Sequence, residues 1–163
     1  MASYKRVLLK LSGEALKSGN DLFDFSLVDE MADIIRQMHE TGTQIGIVIG
    51  AGNIWRGRQG PAASLDAVTA DQMGMLGTAI NCLCVCDALK RRGLDAVVMS
   101  AVDMDRFCEP FNAMKAREYL ESGRIVLFAC GSGNPFFSTD TAVVLRALEV
   151  GADARARPRA WTR

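Results

Sequence analysis

The stretch IVLFACGSGNPFFSTDTAVVLRALEV, residues 125–150, decides the fold. It opens with a short, continuous apolar run, which is typical of a strand buried on both faces. A loop rich in glycine, serine and asparagine follows, and then a helical pattern that starts near Thr139 and reaches about Val150. A buried strand that leads through a polar loop into a helix is the repeating unit of an α/β protein with a parallel sheet.

The same unit occurs three more times on the N-terminal side of this stretch. Similar apolar runs occupy residues 6–11, 44–49 and 96–99, and each is followed by a helical pattern. The alternation of strand and helix predicts an α/β three-layer sandwich with a mainly parallel sheet of four buried strands. In such a sheet ligands bind outside the carboxyl ends of the strands, so the loops after the strands are where chemistry is expected.

The helical patterns have recognisable boundaries. The first has its apolar face along residues 27–38 and is predicted to begin with a capping box of Ser26 and Asp29. The third extends from about residue 112 to 121. The second is predicted from an apolar stripe at helical spacing, namely Met73, Leu76, Ile80 and Leu83.

Length and composition are those of a globular domain. With 163 residues, 49% of them hydrophobic and 23% charged, the chain can bury a real core, which excludes disordered and fibrous classes. Lys plus Arg and Asp plus Glu both total 19, so the charge gives no reason to expect a nucleic acid or an anionic membrane as partner. No signal peptide and no continuous apolar run of membrane-spanning length is evident, so we expect a cytoplasmic protein with reduced thiols.

Two loops after predicted strands are candidates for phosphate binding. After the first strand, Lys10 is followed by Ser12 and Gly13, which together offer an ammonium, a hydroxyl and an exposed backbone N–H. A lysine that simply leaves a strand end for solvent is the alternative. After the second strand, a Gly-x-Gly turn that includes Gly52 precedes Arg56; a tight turn alone would also need these glycines. A tryptophan stands in place of the third glycine of the dinucleotide fingerprint, so a nicotinamide enzyme is a poor fit.

The loop after the fourth strand, residues 131–140, is a neutral, donor-rich cradle for an anion at a helix N-terminus. Phe136 and Phe137 either wall a flat base or anchor the loop in the core, and for one loop taken alone anchoring is favoured. Asp71 is placed either to cap the second helix or to accept hydrogen bonds from a ribose diol. Asp140 is either a dipole-stabilised acid or a residue that orients lysines around phosphates. No nucleophile and base are paired, which suits phosphoryl transfer.

Together these motifs resemble the bacterial UMP kinases. The segments KRVLLKLSGEAL, IGAGNIWRG, ADQMGML and GNPFFSTD, which begin at residues 5, 49, 70 and 133, have the order and spacing of that family, and the resemblance covers about residues 4–154. It implies the amino-acid-kinase fold and phosphoryl transfer from ATP to UMP, giving UDP in pyrimidine nucleotide biosynthesis. It also implies that Mg²⁺ is carried by ATP and that the enzyme forms homohexamers.

The resemblance also implies roles for individual residues. Lys10 and Asp140 match the catalytic positions, with Asp140 organising the lysine. The positions that match contacts to the ATP phosphates are Lys10, Leu11, Ser12, Gly13, Gly52 and Arg56. The positions that match UMP contacts are Ala51, Asp71, Ser132, Gly133, Asn134, Pro135, Phe136, Phe137, Ser138 and Thr139.

The sequence departs from the family pattern in three places. Ala51 stands where many members have a glycine, and a left-handed backbone would be costlier there. Residues 21–25 lack the glycines that many members carry in a segment tied to GTP activation, which leaves that regulation open. Residues 155–163 are arginine-rich and resemble nothing in the family, so they are expected to form a disordered tail on residues 1–154.

The third departure sets the expected activity. The family would continue after residue 154 with a further strand and the loops that hold ATP. We therefore expect a C-terminally truncated member that is inactive alone and whose fourth strand lacks a neighbour. Two alternatives stay open: a noncatalytic UMP-binding or assembly fragment, and a carboxylate kinase of the same fold, such as an acetylglutamate-kinase relative. The latter would share the lysine loop but not the Asn-Pro-Phe-Phe segment.

Overall fold

The structure, a computed structural model, describes residues 4–57 and 60–156. One parallel sheet lies between two layers of helices, which confirms the predicted α/β sandwich. The strands in the described residues are β1 (Arg6–Leu11), β2 (Gln44–Ile49), β3 (Ala96–Ser100), β4 (Glu109–Pro110), β5 (Ile125–Ala129) and β6 (Ala154–Ala156). The helices are α1 (Phe25–Glu40), α2 (Ala67–Arg91), α3 (Ala113–Glu121) and α4 (Thr139–Val150), with short 3₁₀ turns at Gly13–Leu16 and Gly60–Ser64.

The sheet order puts the three loops with candidate chemistry side by side. Across the sheet the strands run β4-β3-β5-β2-β1-β6, and each described pair is parallel. Strands β5, β2 and β1 are therefore neighbours, and Lys10 near the end of β1 pairs with Val48 near the end of β2. Because parallel strands end at the same edge, the loops after these three strands meet there.

The two short edge strands are not predicted by the sequence pattern. In β6, residues 154–156 pair with residues 7–9 of β1, so Arg155 and Ala156 belong to the sheet and not to a tail. The carboxylate of Asp153 accepts hydrogen bonds of 2.8 Å from the backbone N–H groups of Lys5 and Arg6. These bonds hold the start of β6 next to the start of β1. Strand pairing uses backbone groups, which explains why an arginine-rich sequence can add to the edge. The rest of the predicted tail, residues 157–163, lies outside the described residues.

The position of β5 overturns another expectation. The fourth strand of the sequence pattern is predicted to lack a neighbour, yet β5 lies between β3 and β2 and pairs with both. Sheet order does not follow chain order, because right-handed crossovers insert later strands between earlier ones. The prediction is therefore wrong.

The two faces of the sheet bury separate apolar clusters. Leu9, Ile47 and their neighbours on one face pack against α1 and α2, and Leu8 and Phe128 on the other face pack against α3 and α4. The start of α1 differs from the predicted capping box. Asp24, two residues before Ser26, caps the helix by accepting the N–H of Ser26 at 3.0 Å.

Candidate functional site

The loops after β1 and β2 interlock at Gly13. A side chain at this position would place its Cβ 2.4 Å from the carbonyl oxygen of Gly50 and 2.8 Å from the backbone nitrogen of Gly52. Only a glycine therefore lets the two backbones approach so closely. The contact brings the backbone that follows Lys10 against the Gly-x-Gly turn, so the two predicted phosphate loops form one wall.

A buried pair of amides supports this wall from α2. Asn81 is fully buried, and its Nδ2 donates to the carbonyl oxygen of Gly50 and to Oδ1 of Asn53, both over 2.8 Å. In return Nδ2 of Asn53 donates to Oδ1 of Asn81 at 3.0 Å and to the carbonyl oxygen of Leu22 at 2.9 Å. Buried amides are costly unless satisfied, and here each finds partners. The pair ties the β2 loop to the long helix.

The wall borders a cavity of about 490 Å³, a size that suits a small organic ligand. The loops after β1, β2 and β5 and the first half of α2 all contribute to its lining. The residues predicted as site residues that line it are Lys10, Ser12, Gly13, Ala51, Gly52, Arg56, Asp71, Asn134, Phe137, Ser138 and Thr139. Gly131 of the predicted anion cradle also lines it, and the further lining residues, which were not predicted individually, are Gly50, Trp55, Gly57, Ala70, Gly74, Met75 and Thr78.

Other predicted site residues lie outside this lining. Leu11 is fully buried in the core, so its side chain cannot reach a ligand. Asp140 lies on a second cavity of about 360 Å³, which it shares with Lys10, Arg155 and three apolar or small residues of α4 and β6. The remaining ones belong to the loop after β5 but do not face the first cavity, namely Ser132, Gly133, Pro135 and Phe136.

Lys10 is where the two cavities meet. Its Nζ lies 3.5 Å from Oδ1 of Asp140, and its side chain is 19% exposed. The structure thus brings the two predicted catalytic residues together as an ion pair. A cation held at the junction of two cavities can face one anionic ligand on each side, which is the arrangement that phosphoryl transfer between two bound molecules needs.

Arg56 is held by an acid that the sequence reasoning did not consider. Nη2 of Arg56 lies 2.7 Å from Oε1 of Glu14, and Nζ of Lys17 lies 3.7 Å from the other carboxylate oxygen. A side chain at Gly52 would contact the same carboxylate at 3.2 Å. Glu14 follows Gly13 directly in the KRVLLKLSGEAL segment, so the sequence indicates that it lies close to the loop after β1, but the sequence does not indicate its ion pair with Arg56.

The β5–α4 loop covers one side of the cavity and is not anchored in the core. Phe136 and Phe137 are 72% and 58% exposed, so the prediction that they anchor the loop is wrong. Phe137 lines the cavity, whereas Phe136 points elsewhere and has a left-handed backbone with φ of 69°. Ser138 caps α4 by accepting the N–H of Thr141, which leaves the first turn of the helix facing the cavity. A helix N-terminus attracts anions.

Asp71 closes the loop over the cavity. It lies in the second turn of α2, since the helix is capped earlier by Asp66, and its Oδ2 accepts the backbone N–H of Phe136 at 2.6 Å. The predicted role as a helix cap is thus taken by another acid. Asp71 remains on the cavity surface, where a carboxylate can accept hydrogen bonds from hydroxyl groups.

Ala51, a predicted UMP contact, lines the first cavity, and Cys130 lies at the start of the loop after β5. Within the described residues only Cys130 and Phe136 are non-glycine residues with a left-handed backbone. Ala51 therefore does not have the backbone conformation that would require the glycine that many family members carry there. A Cβ added at Gly77 of α2 would lie 2.9 Å from the Cβ of Ala51, so the two elements are in close contact there. The Cys130 thiol donates to the carbonyl oxygen of Met75, and burial raises its pKa, which argues against a nucleophile.

Comparison with known proteins gives a family and two close structures. A sequence profile described as the amino acid kinase family matches residues 5–155. A UMP kinase from Bacillus anthracis matches with a TM-score of 0.89 and 38% sequence identity. The match covers 94% of this chain and 64% of the Bacillus anthracis chain. A UMP kinase from Ureaplasma parvum matches with a TM-score of 0.88 and 30% sequence identity. The match covers 94% of this chain and 68% of the Ureaplasma parvum chain. The chain therefore spans about two thirds of the length of these structures.

Proposed function

This chain belongs to the amino acid kinase family, and on that premise we propose that it is the UMP-binding part of a UMP kinase. The reaction transfers the γ-phosphoryl group of ATP to a phosphate oxygen of UMP. A new P–O bond forms to UMP, the bond to the bridging oxygen of ADP breaks, and the products are UDP and ADP. The proposal includes a place in cytoplasmic pyrimidine nucleotide synthesis.

One observation carries the proposal: the loops after three adjacent strands line a single cavity with Lys10 at its boundary. In the proposed complex UMP occupies this cavity. Asp71 accepts the ribose hydroxyls, and the N-terminus of α4 with Ser138 and Thr139 faces the phosphate. Phe137 offers an aromatic face to the base.

The donor phosphates would lie in the second cavity and against the neighbouring loops after β1 and β2. These loops carry the residues that match ATP-phosphate contacts, namely Ser12, Gly13, Gly52 and Arg56. Lys10 and Arg155 supply positive charge in the second cavity, and Asp140 keeps the lysine directed. Lys10 then neutralises charge on the transferring group between the two ligands, where an oriented cation contributes most. Mg²⁺ enters as part of the ATP substrate and offsets further phosphate charge.

Titration calorimetry of the 163-residue chain with UMP, ATP and N-acetylglutamate tests this function. We expect UMP to bind most tightly, because the first cavity, which is assigned to it, is lined by more polar and charged residues than the second. The variant Asp71→Asn should weaken UMP binding, and Asp87→Asn, an exposed acid later on the same helix, should not. Tighter binding of N-acetylglutamate would support a carboxylate kinase, and equal or tighter binding of ATP would contradict the assignment of the first cavity.

A further inference from the structure

A buried arginine lies beside the start of the β5–α4 loop, residues 131–138. The side chain of Arg146, in α4, is only 4% exposed, and its guanidinium carbon lies 3.9 Å from the centroid of the Phe111 ring. Nη1 is paired with the carboxylate of Glu149, three residues later in the same helix. Nη2 donates a hydrogen bond of 2.9 Å to the carbonyl oxygen of Gly131. The arginine therefore joins α4 to the first residue of the loop.

The stability of the fold does not by itself require this arginine. Taking a guanidinium out of water is costly, and a buried ion pair offsets that cost only with good geometry and further hydrogen bonds. An apolar side chain of similar length would fill the same space beside Phe111, and such replacements of buried ion pairs are often neutral for stability. An apolar side chain cannot, however, donate to a carbonyl oxygen. The hydrogen bond to Gly131 is therefore the contact that sets arginine apart at this position.

The backbone at this point has an unusual conformation. Cys130 and Gly131 have φ of 63° and 57°, so two left-handed residues follow each other, and the first of them is not a glycine. Such a conformation persists only where the surrounding contacts fix it. Oγ1 of Thr78, in α2, accepts the N–H of Cys130 at 2.8 Å. Since Arg146 binds the Gly131 carbonyl, the first and the last polar groups of the left-handed segment are both held, from opposite faces of the sheet.

The bond from Arg146 also sets the direction of the next backbone N–H. The peptide bonds of the described residues are all trans, and in a trans peptide the C=O of one residue and the N–H of the next point in opposite directions. Because the Gly131 carbonyl is turned towards Arg146, the N–H of Ser132 points away from that side chain. Ser132 is the first of the loop positions that match UMP contacts. A loss of the arginine therefore releases the peptide that begins this segment.

We propose that Arg146 is a positioning residue of the nucleotide site, which acts through the Gly131 carbonyl and holds the β5–α4 loop in the conformation that binds the nucleoside monophosphate. Arg146 lines neither of the two cavities, so it acts on the ligand only through the loop. Without its hydrogen bond only a fraction of the molecules has the binding conformation, and the apparent dissociation constant rises by the inverse of that fraction. The inference rests on the proposed function for the identity of the ligand, but not for the contact with the loop.

Arg117 offers a matched control for this role. It lies in α3, is exposed, and donates through Nε to the backbone carbonyl oxygen of Glu149 at 2.8 Å. Like Arg146 it fastens a carbonyl oxygen with a guanidinium, but at the C-terminal end of α4, opposite the end that the β5–α4 loop enters. Replacing either arginine by methionine removes the same chemical group, and only one of the two replacements reaches the loop.

Calorimetric titration of the full 163-residue chain with UMP is the first test. We expect Arg146→Met to weaken UMP binding about tenfold or more, since a hydrogen bond from a charged donor is lost, and Arg117→Met to leave the affinity unchanged. Arg146→Lys should lie between the unmodified chain and Arg146→Met, because lysine keeps the cation but not the planar fork that reaches Glu149 and Gly131 together. Urea unfolding shows that each variant is folded under the titration conditions. A purely structural role would change the unfolding midpoint and leave the affinity of the folded chain as it is.

Hydrogen–deuterium exchange of the ligand-free chain is the second test, and it needs no nucleotide. We expect the backbone amides of residues 131–138 to exchange faster in Arg146→Met and at the unmodified rate in Arg117→Met. Unchanged exchange in this loop, or unchanged UMP affinity of folded Arg146→Met, overturns the inference. A chain that binds no UMP overturns the proposed function, and the exchange rates then decide on Arg146 alone.

Glu149→Gln decides the question if Arg146→Met does not fold. This change removes the charge that fixes the guanidinium and leaves the Glu149 carbonyl, with its bond from Arg117, in place. We expect UMP binding about threefold weaker and faster exchange of residues 131–138, the size of effect that a partly exposed ion pair has. An affinity and exchange rates equal to those of the unmodified chain would overturn the role of Arg146.

Discussion

The backbone N–H of Phe136 donates a hydrogen bond of 2.6 Å to the carboxylate of Asp71. The contact joins α2 to the loop between β5 and α4, two segments separated by 65 residues in the chain. The same carboxylate is the group that the proposed function assigns to the ribose. A ligand hydroxyl and the loop therefore compete for, or share, one acceptor.

Asp71 should control the discrimination between ribose and deoxyribose. We expect the unmodified chain to bind UMP more tightly than dUMP. We expect Asp71→Asn to weaken UMP binding about tenfold and dUMP binding by less, because dUMP keeps only one of the two hydroxyls that donate to this carboxylate and hydrogen bonds to charged acceptors are the strong ones. Calorimetric titration with both nucleotides measures the four affinities. Equal losses for both nucleotides would show that Asp71 acts through the loop alone.

Replacing Phe136 and Phe137 by glycine should have different effects on the stability of the fold. Both are exposed, but only Phe136 has a left-handed backbone, a conformation that costs an ordinary residue about 1–2 kcal/mol and glycine almost nothing. Phe136→Gly should therefore be more stable than Phe137→Gly by about 1 kcal/mol. Urea unfolding of the two variants measures the difference, and a more stable Phe137→Gly would refute the strained conformation.

Gly13 should not tolerate a methyl group, whereas Gly50 should. The added Cβ at Gly13 meets backbone atoms at 2.4 and 2.8 Å, whereas at Gly50 the nearest neighbour is 3.7 Å away. We expect Gly13→Ala to lower the free energy of unfolding by about 2–3 kcal/mol and Gly50→Ala to change it by less than about 0.5 kcal/mol. Chemical denaturation of both variants provides the comparison. Similar losses at the two positions would mean that the loops do not interlock as described.

The buried amides of Asn53 and Asn81 should act as a unit. Removing Asn81 takes away the donor to the Gly50 carbonyl and to Oδ1 of Asn53, while Nδ2 of Asn53 keeps its bond to the Leu22 carbonyl, so Asn81→Ala should cost about 2 kcal/mol. The double variant with Asn53→Ala should cost less than the sum of the two single losses, by about 1 kcal/mol. A double-mutant cycle from equilibrium unfolding measures this coupling, and strict additivity would contradict it.

The cap of α1 should lose its effect in acid. Hydrogen bonds from the hydroxyls of Ser18 and Ser26 lower the pKa of Asp24 to about 2, below its value of about 3.9 in unfolded chains. A depressed pKa stabilises the fold above the unfolded value, and this contribution disappears as the pH falls from about 4 to about 2. Asp24→Ala should lower the melting temperature by about 3 °C at pH 7 and by much less near pH 2.

The control for this effect is Asp24→Asn, which keeps a side-chain acceptor for the helix N-terminus but removes the titrating group. The melting temperature of Asp24→Asn should be higher than that of Asp24→Ala, and the difference between the two should be the same at every pH. Thermal melts followed by circular dichroism across the acid range test both variants. A pH-independent loss in Asp24→Ala would rule out the ionised cap.

The class of fold and most of its elements were determined by local patterns. The apolar runs predict β1, β2 and β5 with the bounds that the structure has, and α4 likewise, because a strand buried on both faces and a capped helix each leave a signature within a few residues. The loop residues from Lys10 to Thr139 could be assigned to one edge of a parallel sheet for the same reason. Glycine and hydroxyl residues after strands are local signals.

Only the tertiary structure decided which neighbours these elements have. The insertion of β5 between β3 and β2 and the pairing of β6 with β1 depend on crossovers and backbone hydrogen bonds that carry no side-chain signature. For the same reason the sequence could not show whether the apolar stripe of α2 faces the core or the surface. A helix with two apolar faces has a pattern that fits either orientation. In the structure the other face of α2 packs against the sheet, so the stripe lies on the surface. The exposure of Leu76 and Ile80 was settled by that packing.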